Sequence, residues 1–386
     1  MKKILLALFC TLALSVPTQN YNALWKTVDD AMAKDLPQNA LEALTKINKK
    51  AEKEGNASQR LKALLLELQV KKDLSKYDDK KLIAHLRALY QKVDAPIEQA
   101  LWQSALGRIL IASGDTASQR EGTALLWESV KNKEFLHKAN AKDFMPLFTP
   151  GEESKLFNDD LLYVLANQLK TCSRGLDNNV LSAFFAKELA PFYSKKRLQG
   201  AALQCHLDAL EYSKLSQEAL FATLGDLAAA YKDEPHNIRT YVRLIDHAST
   251  LATDSVAYTL AQEALSRYGK AAGANEVKQR LANITQAQAS LNCEKQTHYP
   301  GDTIRLNWTA RNQNHFAIEV YHLHDAFESL GSEAWKQGKR VATIDILPPP
   351  APPYKEVSGV ATLVLPEVGG YALRLVGKGL IGSVEE

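Results

Sequence analysis

Two neighbouring stretches of alternating apolar and polar residues constrain the fold of this chain more than any other feature. In the first, Ile304, Leu306 and Trp308 alternate with polar side chains, and the alternation resumes over residues 316–320. A period of two residues is typical of a strand with one buried face. The polar run 311–314 separates the two stretches. The pattern therefore predicts either a β-hairpin or two neighbouring strands of a β-sandwich.

The residues before these strands have the three-to-four-residue apolar spacing of helices. Pro37 suits the first turn of a helix that Gly55 closes, and Asn56 or Ser58 begins the next helix. One helix stops ahead of Pro96, which begins another. The predicted helices cover residues 21–36, 37–54, 56–68, 79–93, 96–113, 118–131, 155–172, 178–193, 195–213, 217–232, 238–251, 255–268 and 276–288.

Successive helices of about 15 residues joined by short loops predict stacked antiparallel hairpins, an α-solenoid. The fragment 257–268 is the one most similar to a tetratricopeptide repeat, although the spacing is irregular and the full signature is missing. A loop-rich break is expected over residues 144–151. The concave face of such an array could bind a partner, and the array could equally be a spacer.

The last part of the chain has the pattern of strands. Beyond the two strands described above, strands are predicted at 290–293, 342–347, 360–365 and 371–376, with the proline run 348–353 as a connector. At least five strands are enough for a small antiparallel sandwich. The predicted organisation is a signal peptide (1–19), a tetratricopeptide-like helical domain (20–288), a β-sandwich (289–378) and a tail (379–386).

The first residues have the pattern of an export signal. Lys2 and Lys3 precede an apolar run, 4–14, that is too short to cross a bilayer. Phe9 precedes Cys10, and a lipoprotein signal would need a small residue there. We therefore expect an exported protein that is periplasmic, associated with the outer membrane or secreted. No later apolar stretch is long enough to be a transmembrane helix.

Charge and cysteine content narrow the possible partners and bonds. The formal net charge is +3, from 47 basic and 44 acidic residues, which gives no indication of nucleic-acid binding. Cys172, Cys205 and Cys293 remain after the predicted signal. An oxidising compartment would permit a disulfide between Cys172 and Cys205, on helices that could be neighbours. The alternative is that these cysteines are small buried apolar residues.

Motifs of enzymes are missing from the sequence. It contains no nucleophile elbow, no zinc-protease motif and no glycine-rich phosphate loop. His322, His324 and Asp325 could approach a metal from one strand face, but without a second cluster they predict a solvated strand end. We therefore predict no metal, no cofactor and no enzymatic activity.

Several short motifs resemble one protein family. The turn before the first strand, the end of that strand and the start of the last predicted strand carry the resemblance, in the residues Tyr299, Pro300, Gly301, Asp302, Arg311, Asn312, Gly370 and Tyr371. Together with the strand 316–323, they resemble the first macroglobulin-type β domain of large bacterial alpha-2-macroglobulin-like proteins. Some of those proteins carry a helical region ahead of that domain, so the resemblance spans nearly the whole chain.

The resemblance implies a role in protease inhibition. Many members of the family act through an internal thioester in a Cys-x-Glu-Gln motif, whereas residues 293–296 differ from it in spacing and identity. Bait and later macroglobulin segments are also missing from this sequence. We therefore expect an exported, non-enzymatic module, the N-terminal part of such an inhibitor. The alternative is a free-standing periplasmic helical-repeat protein that binds a peptide or a protein, and in either case the partners are proteins such as proteases or envelope proteins.

Overall fold

The computed structural model describes residues 21–74, 78–112, 115–145, 147–148, 151–172, 176–250, 254–293, 295, 297–323, 331–380 and 384–385. The predicted signal peptide lies outside these residues. The predicted order of helices followed by a small antiparallel β-sandwich is confirmed. The chain divides into two compact units, Met1–Lys214 and Leu215–Glu386. The predicted boundary at 288/289 is where helices give way to strands, and as a boundary between domains it stays a prediction.

The first unit is helical. Its described helices are α1 (Tyr21–Ala33), α2 (Pro37–Glu54), α3 (Ala57–Asp73), α4 (Asp79–Tyr90), α5 (Pro96–Ala112), α6 (Thr116–Ser129), α7 (Lys133–Lys138), α8 (Leu161–Thr171), α9 (Asn178–Ala183), α10 (Ala190–Lys195) and α11 (Gln199–Glu211). A π-helical turn, Phe184–Leu189, joins α9 to α10. Many helices pack chiefly against a neighbour in sequence, as expected of successive helical hairpins. None of the described helices combines the length and the apolar content that crossing a bilayer requires.

Local sequence signals set several helix limits. Pro37 is in the first turn of α2, and Gly55 ends that helix in the left-handed conformation, with φ of 65°. The side chain of Asn56 caps α3 by accepting a hydrogen bond from the backbone N–H of Gln59, at 3.1 Å. These limits agree with those predicted from the sequence.

The region ahead of α8 differs from the prediction. A helix was expected to run from residue 155, but a 3₁₀ segment, Glu152–Phe157, is followed by Asn158 and Asp159, both with positive φ. These two residues reverse the chain, and α8 begins only after Asp160. The short helix α7 was not predicted, because its six residues are too few to show a helical period.

Helices α5 and α6 approach each other closely at two glycines. A Cβ atom on Gly107 would lie 2.8 Å from the carbonyl oxygen of Gly122, and a Cβ on Gly122 would lie 2.6 Å from that of Gly107. Both distances are shorter than a non-bonded contact allows. The pair of glycines therefore sets the separation of these two helices.

The described part of the second unit contains four α-helices and all the described strands. Helices α12 (Gln217–Ala230), α13 (Ile238–Thr250), α14 (Asp254–Tyr268) and α15 (Ala274–Ile284) come first. They are followed by β1 (Gln288–Cys293), β2 (Thr303–Arg311), β3 (Phe316–Leu323), β4 (Lys339–Ile346), β5 (Glu356–Val364), β6 (Gly370–Gly377) and β7 (Val384–Glu385). The strands form two antiparallel sheets, with the orders β1-β2-β5 and β4-β3-β6-β7.

Strands β2 and β3 belong to different sheets, so the hairpin alternative is wrong and the sandwich alternative is right. Strand β2 pairs with β1 and β5, while β3 pairs with β4 and β6. The alternating apolar residues of both strands meet in one core between the sheets. Trp308 and Phe316 contact each other there edge to face, with ring centroids 5.7 Å apart. Alternation alone does not say which strand pairs with which, so the sequence left both topologies open.

We expect Gly107→Ala to lower the free energy of unfolding by about 1–3 kcal/mol, because the new methyl group has no room beside the α6 backbone. Gly225→Ala in α12 is the matched control, since a Cβ there would meet no atom within 4 Å. That control should stabilise the chain by about 0.5–1 kcal/mol, as alanine is the better helix former. Urea denaturation followed by circular dichroism measures both values. A Gly107→Ala variant as stable as the control would contradict the close approach.

A half-buried histidine should make the second unit sensitive to acid. His236 lies in the 3₁₀ segment Pro235–Asn237, and burial, aided by the charge of Arg239, lowers its pKa from 6.5 to about 4. Between those two values the unfolded chain binds a proton that the folded chain does not. Stability should therefore fall as the pH falls from about 6.5 to 4, by at most about 3 kcal/mol. Urea midpoints measured across this range should fall more steeply for the wild type than for His236→Gln, and equal slopes would contradict this assignment.

Candidate functional site

The residues that carry the family resemblance lie at the two opposite ends of the sandwich. Tyr299 to Asp302 form the turn before β2, and Gly370 and Tyr371 begin β6 at the same end. Arg311 and Asn312 lie at the far end of β2, next to the last helix. The structure therefore brings the first two groups together and separates the third from them.

The turn before β2 is tied to the segment that follows β5. Gly301 has a φ of 87°, a conformation that favours glycine, and its backbone N–H donates to the carbonyl of Leu365 at 2.9 Å. The carboxylate of Asp302 accepts a hydrogen bond from the backbone N–H of Tyr299 at 3.1 Å. The side chain of Tyr299 is left 83% exposed. The motif thus builds a rigid turn that presents an aromatic ring to solvent.

The start of β6 forms the opposite wall. The hydroxyl of Tyr371 donates to the carbonyl of Glu367 at 3.1 Å, and its ring stacks on His322 with centroids 4.8 Å apart. A Cβ atom on Gly369 would lie 2.2 Å from Nε2 of His322, so a larger residue there would displace that imidazole. Val368, next to this glycine, is 83% exposed.

A groove of about 720 Å³ lies between these two turns. We call it the end groove. Its depth is apolar and reaches the core between the sheets, with walls that include Leu291, Ile304, Leu306, Leu363, Leu365 and Leu373. Its rim carries Asn292, Lys295, His298 and Glu367 together with the exposed Tyr299 and Val368. An apolar groove with few polar groups at its mouth is suited to binding apolar side chains.

The end groove also contains a cysteine and a histidine, but their geometry is unsuited to nucleophilic catalysis. Sγ of Cys293 lies 3.7 Å from Nε2 of His298. The same Nε2 lies 2.8 Å from the carbonyl oxygen of Lys295, which can only accept, so Nε2 carries a proton. The thiol donates to that carbonyl as well, at 3.0 Å. A protonated Nε2 cannot take the thiol proton, so the pair is not a nucleophile with its base.

Arg311 and Asn312 form a clamp on the last helix. The side-chain amide of Asn312, a residue with φ of 53°, donates to the carbonyl of Thr285 at 2.7 Å. The guanidinium of Arg311 donates to the carbonyls of Asn283 and Gln286, both at 3.4 Å. These carbonyls belong to the end of α15, where no further helical turn can satisfy them. The clamp therefore joins α15 to the sandwich.

Asp160 is one of the buried carboxyl groups of the first unit. The carboxylate of Asp160 caps α8 through the N–H of Tyr163 at 2.8 Å, and it also accepts from the hydroxyl of Tyr193 and lies 2.6 Å from Nδ1 of His137. Burial raises the pKa of the Asp160 carboxyl. Only 2% of this residue is exposed. Both oxygens of Asp160 accept hydrogen bonds from protein groups and are buried. Asp160 therefore connects α7, α8 and α10 and is not accessible to a substrate.

Asp208 in α11 is another buried carboxylate. It is fully buried, lies 2.7 Å from Nζ of Lys170 and accepts from the side-chain amide of Gln204 at 2.9 Å. Burial raises the pKa of the Asp208 carboxyl. Burial by itself lowers the pKa of Lys170, but the neighbouring carboxylate outweighs it and the pKa is raised. The Lys170–Asp208 pair links α8 to α11, and its role is structural.

The disulfide that an oxidising compartment would permit between Cys172 and Cys205 stays a prediction. Cys172 and Cys205 both carry free thiols, and so does Cys293. Cys205 is fully buried. Its burial fits the alternative interpretation, in which these cysteines are small apolar core residues. Of the three residues considered for a metal, His324 and Asp325 lie outside the described residues. His322 instead stacks on Tyr371, with its Nδ1 3.6 Å from a carboxylate oxygen of Glu367.

Comparison with known proteins adds no assignment: no family model matches the chain, and no curated protein matches it either. The end groove itself was not predicted from the sequence. Its walls come from β1, β2, β5, β6 and the turns between them, and no local pattern connects these segments. The sequence feature that could have indicated the groove is the pair of turn-forming stretches 299–302 and 369–371. We interpreted both stretches as structural.

We expect Asn312→Ala to lower the free energy of unfolding by about 1–2 kcal/mol, because it removes one hydrogen bond and places alanine in the left-handed region. Asn312→Gly should cost about half as much, since glycine keeps that conformation without strain. The control Asn314→Ala, at an exposed position of the same loop, should stay within about 0.5 kcal/mol of wild type. Urea denaturation compares the three variants, and equal effects at 312 and 314 would contradict the clamp.

Proposed function

We propose that this chain is an exported, non-enzymatic binding module and the N-terminal part of an alpha-2-macroglobulin-like protease inhibitor. The observation that carries the proposal is the end groove, where two of the three groups of family-like residues build an apolar site with an exposed aromatic rim. The third group, Arg311 and Asn312, clamps α15 to the sandwich. The positions of all three groups therefore suit a binding module better than an enzyme.

The side-chain chemistry around the groove supports a binding role. Its walls are apolar, and the imidazole of His298 donates to a backbone carbonyl instead of serving as a base. The buried carboxylates Asp160 and Asp208 in the first unit have their oxygens engaged by protein groups. Binding through the rim needs neither an activated nucleophile nor a general acid.

The alternative is a free-standing helical-repeat protein, and one helix favours it. Helix α12 is rich in alanine and leucine, yet only Leu224 and Ala228 among its residues are buried. Leu220, Phe221 and Leu227 of this helix are half-buried, so part of their apolar surface is available to a partner. In this alternative a peptide or protein would contact the helices instead of the end groove.

Two measurements test the proposal together. Purified protein should leave the rates of trypsin, chymotrypsin and elastase unchanged even in large molar excess, because the sequence contains no bait or thioester segment. Stoichiometric inhibition of any of these proteases would contradict that mechanism.

The second measurement locates the binding surface. A photo-crosslinking amino acid placed at Tyr299 should give discrete covalent adducts with envelope proteins. The same group at Val360, an exposed β5 residue outside the groove, should give none. Adducts from a crosslinker at Leu215, just ahead of α12, but none from position 299 would favour the helical-repeat alternative.

A further inference from the structure

The loop between β4 and β5 is longer than the crossing that it makes. We call residues 347–355 the proline connector, because five of these nine residues are proline. The end of β4 pairs with the start of β3, and the start of β5 pairs with the end of β2. At that same place the loop 312–315 joins β2 to β3 with only four residues. The proline connector therefore has more than twice the length of a neighbouring loop between the same two sheets.

Proline rings fix the backbone of the connector in an extended form. Each ring holds φ at about −65°, and a residue that precedes proline is restricted to the extended region. Pro350 excepted, every residue from Leu347 to Pro352 precedes a proline. The chain turns only beyond this segment, where the backbone N–H of Lys355 donates to the carbonyl of Pro352 at 2.9 Å. We therefore expect residues 347–352 to form two turns of a polyproline II helix, about 19 Å long.

Two contacts hold the proline connector on the second unit. Pro348, near its start, is buried. Beyond the turn, the ring of Tyr354 lies against the ring of Tyr258 in α14, with centroids 5.1 Å apart. The extended segment is therefore anchored near both of its ends, so a partner would meet it in a fixed position.

The remainder of the extended segment faces solvent. Polyproline II has three residues per turn, so residues three apart share an edge. Pro349 and Pro352 share one edge and are both exposed. Leu347 and Pro350 share the next edge and are exposed as well, Leu347 to 76%. A loop that only joined two strands would need neither the additional residues nor two apolar edges turned to solvent.

We propose that the proline connector docks into a groove lined with aromatic side chains on a partner protein. Proline rings pack on such side chains, and a segment that is already extended loses little conformational entropy on binding. Strand addition does not suit this segment, because proline has no N–H to donate to a ladder. The connector lies at the end of the sandwich opposite to the end groove. This contact therefore goes beyond the proposed function and does not depend on the end groove.

The first test uses a purified SH3 domain as the probe, because its aromatic groove binds segments with prolines three residues apart. Fluorescence anisotropy of the labelled domain measures its affinity for the full chain and for a synthetic peptide of residues 347–355. We expect the two affinities to agree within about threefold, since the connector is exposed and already extended. Binding of the peptide but not of the full chain would show that the connector is covered, and failure of both would show that its sequence is not recognised. Either result would overturn the inference.

Protein variants locate the contact. Pro349→Ala combined with Pro352→Ala removes one exposed edge and should weaken binding of the SH3 domain at least about tenfold. Leu347→Asp places a charge on the other edge and should also weaken it. Pro366→Ala, at an exposed proline outside the connector, is the matched control and should leave the affinity unchanged. Circular dichroism checks that all variants keep the fold. Affinities equal to wild type for both connector variants would overturn the inference.

The second test asks whether a natural partner recognises the connector by its prolines. A photo-crosslinking amino acid at Leu347 should give discrete adducts in an envelope extract, and an excess of a peptide of ten L-prolines should abolish them. The same peptide made of D-prolines should have no effect. Absence of adducts, or adducts that L-proline does not displace, would overturn the inference. Adducts from a crosslinker at Tyr299 should persist in the presence of either peptide, so the end groove is tested separately.

Discussion

The apolar layer between the two sheets is the contact on which the rest of the second unit depends. Trp308 of β2 and Phe316 of β3 meet in it edge to face, at an angle of 78° between their rings. Because these strands enter opposite sheets, the chain must cross from one sheet to the other within residues 312–315. Asn312 makes that crossing possible in the left-handed conformation and at the same time holds the end of α15.

The same crossing explains why the two ends of the sandwich differ. At the end where β2 passes into β3, Arg311 and Asn312 donate hydrogen bonds to the last carbonyls of α15. Helix α15 therefore packs against this end of the sandwich. At the opposite end the strands are joined by wider turns, and the sheets separate around an apolar space. Tyr299 and Val368 remain exposed there, although burial of such side chains would be favourable by about 1.5–3 kcal/mol each. A partner that covered the rim would gain that stabilisation.

Much of the fold could be predicted where the sequence carries a local physical signal. Pro37, Gly55 and Asn56 set the limits of α2 and α3 through fixed φ, a left-handed cap and a side-chain cap. Prediction failed where the determining contact is distant. The start of α8 depends on Asp160, whose carboxylate is held by His137 and Tyr193 from other helices. Likewise, the alternation of β2 and β3 gave the buried faces correctly but not their partners, because pairing depends on β1, β4, β5 and β6.

Hydrogen exchange of the backbone amides tests the central claim, that the end groove is the binding surface. It is measured on the full chain with and without a saturating concentration of a synthetic peptide in which threonine and leucine alternate. The account predicts slower exchange in the residues that line the groove, Gly370 and Tyr371 of β6 and the turn 299–302, with Val360 of β5, outside the groove, unchanged. Slower exchange along α12 or the first-unit helices, with Gly370 and Tyr371 unaffected, would contradict it.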